Sequence, residues 1–157
     1  MRGSISERPT RWKPVGCGSS MRFELRRRVL RHFQWWYRVG WGLVVAVIVG
    51  SLVPSIPTAG IPLSDKIMHF TAYGVLMLWF SQLYLGWSRI PVALLLVALG
   101  LVMEVCQGLT GYRQYDPVDM LANSIGVGLG LALGLTPLAT ALSWVERRFL
   151  LNNPGPR

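Results

Sequence analysis

The sequence predicts an all-α protein, a four-transmembrane-helix bundle with both termini cytoplasmic. Three observations lead there. Of 157 residues, 52% are hydrophobic and 15% charged, and the mean hydropathy is +0.39, whereas soluble domains carry about a quarter charged residues. Apolar runs of the length a helix needs to cross a bilayer core, about 20 residues for about 30 Å, occur four times, the third interrupted by the single charge of Glu104. Between Leu25 and Val145 the only acids are Asp65, Glu104, Asp116 and Asp119, too little polar surface for a water-soluble globule or a soluble enzyme.

The N-terminal stretch comes first. Residues 1–34 read as a basic cytoplasmic tail, largely disordered or interfacial. Positions 1–20 mix Gly, Ser, Pro and Arg without periodicity. Arg26, Arg27, Arg28 and Arg31, interleaved with apolar residues, predict a short helix on the anionic leaflet or simply a patch that sets orientation. The membrane domain is expected over 35–145. Its first span, near 36–53, is entered through Trp35, Trp36 and Tyr37 and stopped by Pro54 and Pro57. No small-residue cleavage site precedes those prolines, so this span is expected to stay in the protein. The second span is placed near 65–87, the third near 90–109 after Arg89, and the fourth near 118–137, where Pro137 ends or kinks it. A short basic tail, 146–157, completes the chain.

The net charge of +9 resembles a nucleic-acid signal until it is divided along the chain. In 1–31, nine Lys and Arg against Glu7 and Glu24 give +7. In 32–146, four bases against five acids give −1, and 147–157 adds three arginines. Basic ends on a nearly neutral body suit tails lying against anionic lipid, and no nucleic-acid motif accompanies them. Cys17 and Cys106 fit neither a disulfide framework nor a zinc spacing.

Ionisable groups at membrane depth are costly, so the survivors are informative. Asp65, His69 and Tyr73 share one helical stripe with Lys66 beside it; Glu104 and Gln107 share a second, Asp119 and Asn123 a third. With Arg113 in the loop before Asp119, all lie at the outward level of the predicted topology. They form one expected polar cluster, with Arg113 folded back within about 6 Å of an acid as its counter-ion. Below Asn123 the same face continues as Gly126, Gly130 and Gly134, a small-residue face for close helix packing. Plainer roles compete: Asp65 and Asp119 as dipole partners, Asp116 as an N-cap before Pro117, His69 as an interhelical hydrogen-bonder. Glu104, short of its helix end, has no capping role.

Asp65-Lys66-Ile67-Met68-His69-Phe70-Thr71-Ala72-Tyr73, followed by Glu104-x-x-Gln107, Arg113 and Asp119-x-x-x-Asn123-x-x-Gly126, resembles the VanZ-like family of small integral membrane proteins over roughly residues 40–140. The resemblance implies a multi-pass protein of the bacterial plasma membrane and cell envelope, with antibiotic (teicoplanin) resistance as the best-known association. The stretch Gln114-Tyr115-Asp116-Pro117-Val118 departs from the Thr- or Ser-containing pattern there.

Three functions fit these residues. The preferred one is an envelope protein whose outward polar cluster binds a lipid head group, a lipid-linked wall precursor or a glycopeptide, with membrane lipids as partners and no nucleic acid. The others are a membrane hydrolase or transferase using His69 with Asp65, Glu104 or Asp119, and a structural subunit among other membrane proteins. No catalytic residue, cofactor or metal ligand is assigned; a divalent cation on Asp65, Glu104 and Asp119 has no support from spacing.

Overall fold

The computed structural model describes residues 25–53, 62–111 and 115–152, all of them helical or connecting. The expectations for the 1–20 tail, the Pro54–Pro57 stop and Arg113 lie outside the described residues. Five α-helices succeed one another: α1 (Phe33–Leu52), α2 (Pro62–Leu83), α3 (Arg89–Leu109), α4 (Pro117–Leu133) and α5 (Ala141–Asn152), with short 3-10 turns at Gly86–Ser88 and Pro137–Thr140.

Two segments, Phe33–Leu52 and Gly86–Leu109, are long and apolar enough to cross a membrane. The pair Pro117–Leu133 and Pro137–Phe149 makes a third when taken as one broken span, bent by 74°. Helix α2 has the length, 22 residues or about 33 Å, but carries Asp65, Lys66, His69, Ser81 and Gln82. Those residues lower its hydropathy, and the fold compensates by wrapping it. Tyr73, Leu76, Met77 and Leu83 are all but fully buried, and α2 forms the middle of the core with Val44, Leu96 and Val127 packed around it. Leu94, Leu95, Val102, Leu121 and Ile125 face outward, as they do in a protein whose surroundings are hydrocarbon.

The closest crossing is α2 with α4. A Cβ on Gly126 would run into the Phe70 carbonyl, one on Gly130 into the Gly74 carbonyl, and one on Gly134 into Ser81. The glycine face is thus filled by a helix of the same chain, running parallel to α4.

Three expectations are corrected. The fourth helix stops at Leu133 rather than near 137, because the chain turns before Pro137, whose missing N–H suits the first position of the next turn. Beyond that turn the chain forms a separate helix, α5. The second helix stops at Leu83, not 87: Gly86, at φ +54, adopts the left-handed conformation that glycine tolerates. The stretch before α1 is extended rather than helical. It pairs with the end of α2 through Arg28 N–H to the Leu83 carbonyl (2.8 Å) and Leu85 N–H to the Arg26 carbonyl (2.9 Å), and Arg26 N–H reaches Ser88 Oγ (2.7 Å). Backbone groups left bare by the end of α2 gain more from this pairing than an isolated helical turn would offer.

The start of α1 is capped from a distance. Its N-cap residue His32 makes no side-chain cap. Instead Glu146 of α5 accepts from the N–H groups of Arg31 (2.8 Å) and His32 (2.9 Å) and from the Trp36 indole (2.8 Å). A carboxylate at a helix N-terminus satisfies bare donors and meets the positive end of the helix dipole. This end of the molecule holds Arg26, Arg27, Arg28, Arg31, Arg89, Arg147 and Arg148; Lys66, Asp116 and Asp119 lie at the other.

Candidate functional site

At the end opposite Glu146, the starts of α2 and α4 meet the end of α3. Asp116 joins all three. Its N–H donates to Glu104 Oε1 (2.6 Å), its Oδ1 accepts from Val118 N–H (2.9 Å) and so caps α4, and its Oδ2 is ion-paired with Lys66 Nζ. Lys66 also reaches Asp119 Oδ1 at 3.0 Å. The Lys66 ammonium, then the Val118 N–H, hold the Asp116 carboxyl below the usual carboxylate range.

His69, one turn along α2, is buried, and its Nε2 lies 3.9 Å from Asp65 Oδ1. One ligand atom each from Asp65, His69 and Asp119 lie within 4.8 Å of one another. This is the group among the described residues that is placed to hold a cation, and it includes His69 rather than Glu104. Below it, Glu104 (1% exposed), Asn123 (2%) and Tyr73 (0%) come from α3, α4 and α2. A Cβ on Gly100 would lie 3.1 Å from Asn123 Cβ and 3.4 Å from Tyr73 Cε1, so this glycine admits both side chains. Glu104 Oε2, Asn123 Oδ1 and the Tyr73 hydroxyl have no hydrogen-bond partner among the described residues.

Gln107 stands apart. Its Nε2 donates to the Ser51 carbonyl (2.8 Å), tying the end of α3 to the end of α1. The predicted residues Asp65, Lys66, His69, Tyr73, Glu104, Asp119 and Asn123 are therefore brought to one end of the bundle, and Gln107 turns to a neighbouring helix. Sequence reasoning placed Lys66 in the cluster but missed that its one ammonium is shared between Asp116 and Asp119; the counter-ion role expected of Arg113 lies outside the described residues. The spacing offered no signal, since Lys66 and Asp119 sit on different helices.

Beside Lys66 an open apolar groove of about 260 Å³ runs between α2 and α4, lined by Ile67, Phe70, Val118, Leu121, Ala122 and Ile125. The groove is thus charged at Lys66 and apolar along the rest of its lining.

These features define a small all-helical protein with apolar, membrane-compatible helices and a polar cluster at one end. The chain belongs to the VanZ/LLP1 family, whose model matches residues 11–139. It is also similar to an uncharacterised protein of Schizosaccharomyces pombe, 29% identical over 121 residues, covering 74% of this chain and 68% of that protein. No solved structure matches.

Proposed function

We propose that this protein is a multi-pass protein of the bacterial plasma membrane, both termini cytoplasmic, whose outward polar cluster binds the head group of a membrane lipid or lipid-linked wall precursor. The observation that carries the reading is the junction of Lys66, Asp116 and Asp119 with the apolar groove that leads away from them. Polar groups at one end of a furrow lined by Phe70, Leu121 and Ile125 suit a ligand that is itself polar at one end. The arginine-rich end favours the cytoplasm by the positive-inside rule, which directs Lys66 and its partners to the outer leaflet. Reduced sensitivity to glycopeptides such as teicoplanin would follow if the site sequesters a wall precursor that the drug also binds.

The test is native mass spectrometry of the protein released from nanodiscs of mixed lipids. Selective retention of one head-group class by the wild type, reduced in Lys66→Gln and Leu121→Trp (mouth and groove) and kept in Glu146→Gln, supports the reading. Equal retention by all four proteins contradicts it. The glycopeptide version is contradicted by unchanged drug sensitivity on deletion and overexpression.

A further inference from the structure

We infer that Asp65, His69 and Asp119 form a binding site for one divalent cation of the zinc type. Asp65 and His69 occupy successive turns of α2, and Asp119 is delivered by α4. The approach is set by the backbone: Gly126, two turns beyond Asp119, packs directly on the Phe70 carbonyl next to His69. The ligand atoms lie within 4.8 Å of one another, and His69 Nε2 is 3.9 Å from Asp65 Oδ1. That distance is too long for a hydrogen bond. Zinc bonds of roughly 2.0–2.2 Å to imidazole nitrogen and carboxylate oxygen would draw such atoms inward by small side-chain rotations.

A second observation points to a positive guest. Around Asp119 the described residues place the carboxylates of Glu104 and Asp116 beside the Asp65–His69 pair, and the Lys66 ammonium is shared between Asp116 and Asp119. Behind them, buried and without partners among the described residues, stand Glu104 Oε2, Asn123 Oδ1 and the Tyr73 hydroxyl, one donor for two acceptors, with Asn123 one turn below Asp119 on the same helix. Buried acceptors require donors. A cation with its bound water supplies both charge and donors, where a bare phosphate would meet an acidic wall. The imidazole in the set selects zinc-like ions over magnesium or calcium, which prefer all-oxygen shells.

The chemical consequence is that a phosphate can be held through the ion rather than against the acids. This bridging role rests on the head-group reading; the ion site itself does not. Lys66 holds Asp119 Oδ1 at 3.0 Å and so competes with the ion for that carboxylate; removing the ammonium should favour the ion while taking away the head group's own contact with Lys66.

The experiment is calorimetric titration of Zn2+, with Mg2+ in parallel, into full-length chelator-stripped protein in nanodiscs. Circular dichroism and melting of the metal-free variants establish that each is folded. One saturable Zn2+ site with much weaker Mg2+ binding is expected. His69→Gln and Asp65→Asn should each weaken it about tenfold or more, while Lys66→Gln tightens it severalfold and Glu146→Gln leaves it unchanged. Absence of saturable Zn2+ binding in the wild type overturns the inference, as does wild-type affinity in both folded variants, His69→Gln and Asp65→Asn. Zn2+ binding without any lipid preference upholds the ion site and removes the head-group reading. Lipid retention that survives chelation overturns the bridging role.

Discussion

Glu104 Oε1 accepts the backbone N–H of Asp116 at 2.6 Å, so a carboxylate near the end of α3 holds the residue that starts α4. Asp116 in turn caps α4 and meets Lys66 of α2. One buried acid therefore sets the geometry of the whole polar end through the backbone of its neighbour, while the ammonium of Lys66 is engaged by Asp116 and Asp119.

Glu104→Ala should lower stability by about 1–3 kcal/mol, because a part-buried N–H loses its acceptor. Glu104→Gln, which retains a carbonyl oxygen, should cost less. Thermal melting in detergent separates the two; equal melting of Glu104→Ala and wild type would remove Glu104 from this role.

Gly126→Ala and Gly130→Ala should each be strongly destabilising, since the new methyl meets backbone carbonyls that have no rotamer to move. Gly128, on the same helix, has open space where its Cβ would stand, so Gly128→Ala should be neutral or stabilise by up to about 1 kcal/mol through helix propensity. Membrane abundance and melting of the three variants check the contrast.

Lys66→Gln leaves Asp119 without its ammonium partner, and the loss should be partly recovered in Lys66→Gln with Asp119→Asn. A double-mutant cycle on melting should return a coupling of about 0.5–3 kcal/mol. A coupling of zero would mean that the pair is incidental to folding.

Glu146 gives a pH dependence at the opposite end, on α5 beyond the 74° bend that follows α4. Burial pushes its carboxyl up, but the His32 N–H, the Trp36 indole and the Arg31 N–H together outweigh it and hold the group below its ordinary 4.5. A carboxyl with a lowered folded pKa contributes stability that is fully present above the unfolded value and is lost as pH falls through the folded one. Wild type should therefore melt higher than Glu146→Gln at pH 7, with the gap shrinking below about pH 4.5. A gap that stays constant down to pH 3 would contradict the capping role.

The hydropathy pattern made α1 and α3 legible, since long apolar runs leave few alternatives. The helical stripes placed Asp65 with His69 and Asp119 with Asn123, because residues four apart share a face wherever the helix lies. Legibility failed where the partner is remote in sequence. Nothing near Glu146 indicates that it caps a helix more than a hundred residues earlier, or near Arg27 that it pairs with Tyr84. Lys66 reads as one more charge at a helix start until the α2–α4 crossing brings Asp116 and Asp119 to it. The bend after Leu133 was half legible: Pro137 marks it, but the apolar residues beyond it, up to Val145, hide the new helix.

The most direct measurement is solid-state NMR of the protein in lipid nanodiscs, reading 31P dephasing of a lysine 15Nζ signal. The sequence has two lysines, Lys13 and Lys66, so Lys13→Arg leaves Lys66 as the sole label. If the polar end holds a phosphate-bearing head group, the Lys66 signal is dephased by 31P, and the effect disappears in Leu121→Trp, which fills the groove. A Lys66 signal untouched by 31P in every lipid composition, bacterial extracts included, would contradict the account.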